Sequence, residues 1–201
     1  MSNAGYIAGV LALVVVSGII YNVLWGRDRR LLRSRAYCYR DLHVPSVSDS
    51  EFSNSEYFEG TPVPKRYLVA KRFELGDYYL DFPPDRLDAD MRWEDVPLDP
   101  SPWCRELDDL FGYIKKNFAI GEPEKFLKGK TIGEIIQSFY EFERNICWND
   151  ARVKPPGWEH TGAIRELNKR IGTGQLPQNY LDKATIADIL PNLYEWRTKK
   201  S

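Results

Sequence analysis

Between Ala4 and Trp25 the chain runs for 22 residues without a charge, AGYIAGVLALVVVSGIIYNVLW. At about 1.5 Å of rise per residue such a run makes a helix of roughly 33 Å, enough to cross a hydrocarbon core of about 30 Å. It predicts a single N-terminal transmembrane helix from which the rest of the chain hangs. A secretory signal peptide is the rival reading. That would have a charged start, an apolar run of about 7–15 residues and a small-residue cleavage site. Here no charge precedes the run, which is longer and ends in Tyr21-Asn22-Val23-Leu24-Trp25. Tyr6 at one end, with Tyr21 and Trp25 at the other, read as aromatics at the bilayer interface. Gly5 and Gly9 form a small-xxx-small pair that would let two such helices meet as a homodimer. Gly and Ala are also common in spans that do not pair.

Charge sets the orientation. Residues 26–40 hold Arg27, Arg29, Arg30, Arg33, Arg35 and Arg40 against Asp28, a net of +5. This collar reads as gripping an anionic leaflet, and the positive-inside bias places the C-terminal side in the cytosol. The whole chain carries −1, so residues 41–201 carry −6. An acidic body excludes nucleic acid as the main partner. The cysteines are Cys38, Cys104 and Cys147, an odd number at wide spacing. That pattern argues against a disulfide framework and against a zinc site. Cys38 lies in the collar, where a free thiol or reversible acylation both fit.

The chain therefore divides into an anchor at 1–25, a basic juxtamembrane segment at 26–44, a flexible Ser/acidic linker at 45–64 and a mainly helical cytosolic domain at 65–201. The linker reading rests on Ser46, Ser48, Ser50, Ser53 and Ser55 alternating with Asp49, Glu51, Glu56 and Glu59 and no hydrophobic period. Ser48 and Ser53, beside acidic residues, are candidate phosphorylation sites. In 65–82, Gly76-Asp77 fits the turn of a short β-hairpin; a short helix from Pro64 to Gly76 fits its first half equally. Residues 83–102, rich in Pro and Asp, read as an irregular arm pinned by Met91 and Trp93.

The C-terminal half is helical. Ser101-Pro102 offers an N-cap and N1 pair, and Trp103, Leu107, Leu110, Phe111, Ile114 and Phe118 recur at helical spacing until Gly121 and Pro123. Thr131 and Glu134 form a capping box before Ile132, Ile135, Ile136, Phe139, Phe142 or Glu143, and Ile146. Thr161 caps a third helix with Ile164, Leu167 and Ile171, ended by Gly172. A last segment carries Tyr180, Leu181, Ile186, Ile189, Leu190, Leu193, Tyr194 and Trp196, with Pro191 expected to break or kink it. No repeat of 20 to 50 residues is visible.

Catalytic patterns are missing. His43 and His160 have no partner at metal-ligand spacing. Gly172-Thr173-Gly174 lacks the strand before it and the Gly and Lys after it that a phosphate loop needs, so it reads as a helix stop. Asp108/Asp109 and Glu141/Glu143 read as solvated helix faces. No cofactor, metal site or catalytic residue is expected. The aromatics Tyr57, Phe58, Trp93, Trp158 and Tyr180 fall in loops; those that stay outside the core would suit a protein-binding face.

The uncharged span, the arginine collar and His43-Val44-Pro45 shortly after it, with Phe126-Leu127-Lys128-Gly129, Ile135-Ile136 and Tyr140-Glu141-Phe142-Glu143-Arg144 further on, resemble the NICE-three family of single-pass membrane proteins. The resemblance implies an intracellular membrane protein of Golgi or mitochondrial membranes, linked to phagocytosis or trafficking and without known catalytic residues. The expectation is a non-enzymatic membrane adaptor that recruits protein partners. The alternatives are an accessory subunit of a larger membrane complex and an enzyme with an unrecognised site.

Overall fold

The computed structural model describes residues 44–80, 82–96, 105–152 and 162–198. The chain divides after Val44. Beyond that point it is built from helices and single turns: α1 Asp49–Ser53, α2 Lys65–Phe73, α3 Arg105–Asn117, α4 Pro123–Leu127, α5 Ile132–Glu143, α6 Gly162–Gly172, α7 Tyr180–Lys183 and α8 Ile186–Thr198. Isolated 3-10 turns lie at Glu56–Phe58, Pro84–Arg86, Trp93–Asp95 and Trp148–Asp150. The mainly helical expectation holds.

Among the described residues no helix is long and apolar enough to cross a membrane. The expectation of a transmembrane, signal-anchored, single-pass protein is corrected accordingly: the described residues supply no spanning helix, and residues 4–25 lie outside them. The Golgi, mitochondrial and phagocytic associations that hang on that layout find no support in the structure.

The β-hairpin is also corrected. Residues 65–80 are helical throughout, α2 running into a π-helix over Glu74–Leu80. Tyr67, Leu68, Lys71, Leu75 and Tyr79 recur at spacings of three and four and are all buried, at 0–1% exposure. A strand would have turned alternate residues inward instead. Gly76 makes no turn. A Cβ there would lie 2.8 Å from the Phe82 carbonyl oxygen and 2.9 Å from Pro84 Cα. Its place in the sequence reflects the close return of the chain.

The stretch read as a flexible linker holds α1 and a 3-10 turn. Ser48 and Glu51 form a capping box, the Glu51 amide donating to Ser48 Oγ at 3.1 Å and the Ser48 amide to Glu51 Oε2 at 2.8 Å. Phe52, Phe58 and Val63 reach the core. Three well-separated apolar side chains suffice to dock the segment, although they form no period. Ser48 Oγ serves as the cap, and Ser53 is buried.

From Ala89 onward the same device is built twice. Phe126–Phe142 aligns without a gap on Tyr180–Trp196, 54 residues later, with six of 17 positions identical: Leu127/Leu181, Thr131/Thr185, Ile132/Ile186, Ile135/Ile189, Tyr140/Tyr194 and Glu141/Glu195. In each copy a one-turn helix, α4 or α7, leads to a threonine-capped helix, α5 or α8. Thr131 pairs with Glu134, and Thr185 pairs with Asp188. In each copy a tryptophan segment docks in front of the cap by one antiparallel bridge, Arg92 to Thr131 and Cys147 to Thr185. The Trp93 amide donates to the Lys130 carbonyl and the Trp148 amide to the Ala184 carbonyl, both at 2.9 Å. The Ile132 and Ile186 amides return bonds to Met91 and Ile146 at 2.8 and 3.0 Å. Both tryptophans are buried and open a 3-10 turn. The period lies just above the range in which the sequence shows no repeat.

Two helix ends differ from expectation. α3 stops at Asn117, ahead of Gly121, because Ala119 adopts a left-handed φ of 56°. Pro191 does not break α8, which runs on to Thr198; the residue forgoes one backbone donor within a helix held by its buried face. The Ser101-Pro102 and Thr161 caps lie outside the described residues.

Candidate functional site

α2 sits between the two repeated helices, with Tyr67 against Tyr140 of α5 at 5.0 Å between ring centroids and Phe73 against Tyr194 of α8 at 5.3 Å. Two sites of different character result, one inside and one outside.

The inner site is ionic. Lys71 Nζ lies 2.5 Å from both Glu74 Oε2 and Glu143 Oε1. Tyr67 and Tyr113 donate their hydroxyls to Glu143 Oε2 and Oε1, each at 2.7 Å. The ammonium also stands over the Phe139 ring, 4.5 Å from its centroid. Lys71, Glu74 and Glu143 are 0–3% exposed. Glu143 therefore takes the position on the apolar stripe of α5 that the sequence left open between it and Phe142, and it is not a solvated face residue. Its spacing of four from Phe139 was the available signal. Lys71 and Glu74, three apart on a segment open to a strand reading, gave none.

One ammonium faces two carboxylates away from water. Burial pushes the Glu74 carboxyl up to about 7, helped by repulsion from Glu143 and opposed by Lys71. Burial alone would lower Lys71, but Glu143 and Glu74 outweigh it and leave it raised. Burial, reinforced by the nearby carboxylates, raises the Tyr67, Tyr79 and Tyr113 phenols well above their usual range. Glu74 Oε1 and Tyr79 Oη have no hydrogen-bond partner. The charged groups of this cluster are thus enclosed at 0–3% exposure.

Beside it, Arg72 is 1% exposed and ties the N-terminal segment down. Its Nε donates to the Leu87 carbonyl at 2.9 Å and its Nη2 to the Val47 carbonyl at 2.7 Å. The guanidinium lies 4.5 Å over Phe52 and pairs with Asp49 at 3.3 Å. Asp49 also accepts from the Tyr194 hydroxyl at 3.0 Å. Partial burial, with that carboxylate, pushes the Tyr194 phenol up to about 12.

The outer site is a cleft of about 230 Å³ between α2 and α8, lined by Lys65, Arg66, Val69, Pro191, Tyr194 and Glu195. Its floor is apolar. Arg66 and Glu195 form an ion pair on its rim, and Lys65 donates to the Asn54 side chain.

In comparisons with known proteins, no family model, no curated protein and no solved structure matches this chain. None of them bears on the likeness to the NICE-three family.

The expected membrane-contacting residues Tyr6, Tyr21, Trp25, Arg27, Arg29, Arg30, Arg33 and Arg35 lie outside the described residues, as do Gly5, Gly9, Cys38, His43, Cys104, Trp158 and His160. Of the other loop aromatics, Phe58 and Trp93 enter the core, Tyr180 is half-buried and Tyr57 stays 38% exposed. The cysteine at 147 is a free thiol whose Sγ donates to the Asp182 carbonyl. Among the described residues no group of His, Cys, Asp and Glu forms a metal cluster.

Proposed function

We propose that the chain is a non-enzymatic adaptor whose helical domain holds a protein partner at the α2–α8 cleft. The observation that supports this reading is the contrast between the two sites. The groups with acid–base chemistry are enclosed at 0–3% exposure, while the surface cleft offers Val69, Pro191 and the Tyr194 ring beside charged rims. An apolar floor with an aromatic and an arginine suits protein contact, where Tyr and Arg are enriched among the residues that carry affinity.

Proximity labelling from the C-terminus of the full chain in intact cells tests it. A Val69→Glu chain that keeps its helical circular dichroism should lose a defined set of neighbours. A chain altered at Glu124, exposed on α4, should keep them. If removing residues 61–201 leaves every neighbour in place, the adaptor reading fails.

A further inference from the structure

The two copies match in backbone and differ in what covers one helix face. On α5, Gly133 and Gln137 stand one turn apart and carry the Ser55–Phe58 turn. A Cβ on Gly133 would lie 3.2 Å from Tyr57 Cδ1, and Gln137 Nε2 donates to the Tyr57 carbonyl at 2.8 Å. The counterparts on α8 are Ala187, which is buried, and Pro191. At Pro191 the same face opens into the cleft with Lys65, Arg66 and Val69.

We infer that this cleft is a docking site for a partner protein's segment of the kind that Ser55–Glu59 already presents within the chain: an aromatic side chain on a single turn flanked by carboxylates. The inference rests on the adaptor reading and gives its partner a chemistry. The volume supports a single side chain as guest. About 230 Å³ falls below the ~300–1,000 Å³ of pockets that engulf a small molecule. Val69, Pro191 and the Tyr194 ring would receive the aromatic. Lys65 and Arg66 against Glu195 leave the lining at +1, and the Arg66 side chain is 65% exposed, so the rim is complementary to acidic flanks. The segment on α5 supplies the pattern: Tyr57, 38% exposed with its ring beside Gly133, lies between Glu56 and Glu59, in a turn whose Tyr57 amide bonds the Ser55 hydroxyl at 3.4 Å.

The probe is a fluorescein-labelled peptide of the chain's own residues 53–60, SNSEYFEG, titrated against the full chain by anisotropy. Saturable binding is expected. It should weaken about tenfold, the effect of losing one anchoring contact, when the peptide's tyrosine is replaced by alanine. Lys65→Glu and Tyr194→Ala in the protein should each weaken it comparably, and Lys65→Glu alters an exposed residue that carries no core packing. Gln137→Ala should leave binding unchanged. If Gln137→Ala abolishes binding while Lys65→Glu does not, the peptide is displacing Tyr57 from α5 and the inference falls. It falls as well if the alanine peptide binds equally or if no binding reaches saturation. A neighbour set that still depends on Val69 would then leave the adaptor standing and remove only the acidic-aromatic chemistry.

Discussion

Glu143 accepts from an ammonium and two phenols, whereas Glu74 makes one contact and leaves an oxygen without a partner. The two carboxylates facing Lys71 are therefore unequal, and substitution should expose it. Glu143→Gln leaves Glu74 to balance Lys71 but takes an acceptor oxygen from two buried phenols, and should cost about 1–3 kcal/mol for each hydroxyl left unsatisfied. Glu74→Gln relieves the excess negative charge and should cost under about 1 kcal/mol near pH 7, the usual scale of a substitution that leaves packing intact. Urea midpoints of the two variants check the order; equal losses would mean that the cluster does not distinguish its acids. Gly133 is the second telling residue. Its amide donates to the Ala89 carbonyl at 2.8 Å, and a Cβ there would lie 2.9 Å from that oxygen. The matching position in the second copy is Ala187, 7% exposed. Gly133→Ala should destabilise by about 1–3 kcal/mol, the range for overpacking, and release Tyr57 from α5. Thermal melts and the exposure of Tyr57 to solvent quenchers measure both effects.

The two copies invite comparison at the level of helices. Thr131 and Thr185 cap α5 and α8 through the same reciprocal bonds, so Thr131→Ala and Thr185→Ala should each cost about 1 kcal/mol. α3 carries the opposite kind of opportunity. Ala119 holds a left-handed φ of 56° just past the last helical residue, where glycine is at no steric cost. Ala119→Gly should raise stability by about 0.5–1 kcal/mol, readable as a shift of the urea midpoint. The helices that the sequence shows plainly are those with an apolar stripe of their own. α5 could be read from Thr131-x-x-Glu134 and the isoleucines, and both the capping box and the buried stripe are present. The body of α3 was legible from Leu110, Ile114 and Phe118, but its end was not, since alanine seldom takes a left-handed turn. α1 was hidden, whereas α2 was legible as one of two alternatives, the short helix from Pro64 to Gly76, but not in what it buries. α1 is one turn long and owes its place to Phe52. α2 buries Lys71 and Arg72, whose partners Glu143 and Leu87 are remote in sequence, so no local pattern marks them as interior. The cleft was equally out of reach, because Val69 and Tyr194 meet only through packing. The second cap escaped because Asp188 stands where the usual signature has Glu or Gln.

For the domain as a whole, α2 is the shared wall. It reaches α5 through Tyr67 and the ionic cluster, and α8 through Phe73, so neither copy has a complete core without it. Unfolding should then be a single transition, and the cluster at its centre should set how that transition responds to pH. The Glu74 carboxyl is raised from 4.5 to about 7, mainly by burial. Between those values the folded protein keeps a proton that the unfolded chain has released. Its contribution is therefore complete below about pH 4.5 and is lost as pH rises through about 7. Stability should fall across that window by up to about 1.4 kcal/mol per pH unit. This runs opposite to the usual gain as surface carboxylates ionise into ion pairs. The other groups facing Lys71 share the burial but not the window, because burial lifts the Tyr67, Tyr79 and Tyr113 phenols far above neutrality. Glu74→Gln carries no such proton, so its urea midpoint should stay level from pH 5 to 8 while that of the native chain declines. A native midpoint that holds or climbs over this range would show that Glu74 is already ionised in the fold, with Lys71 balancing both carboxylates at once.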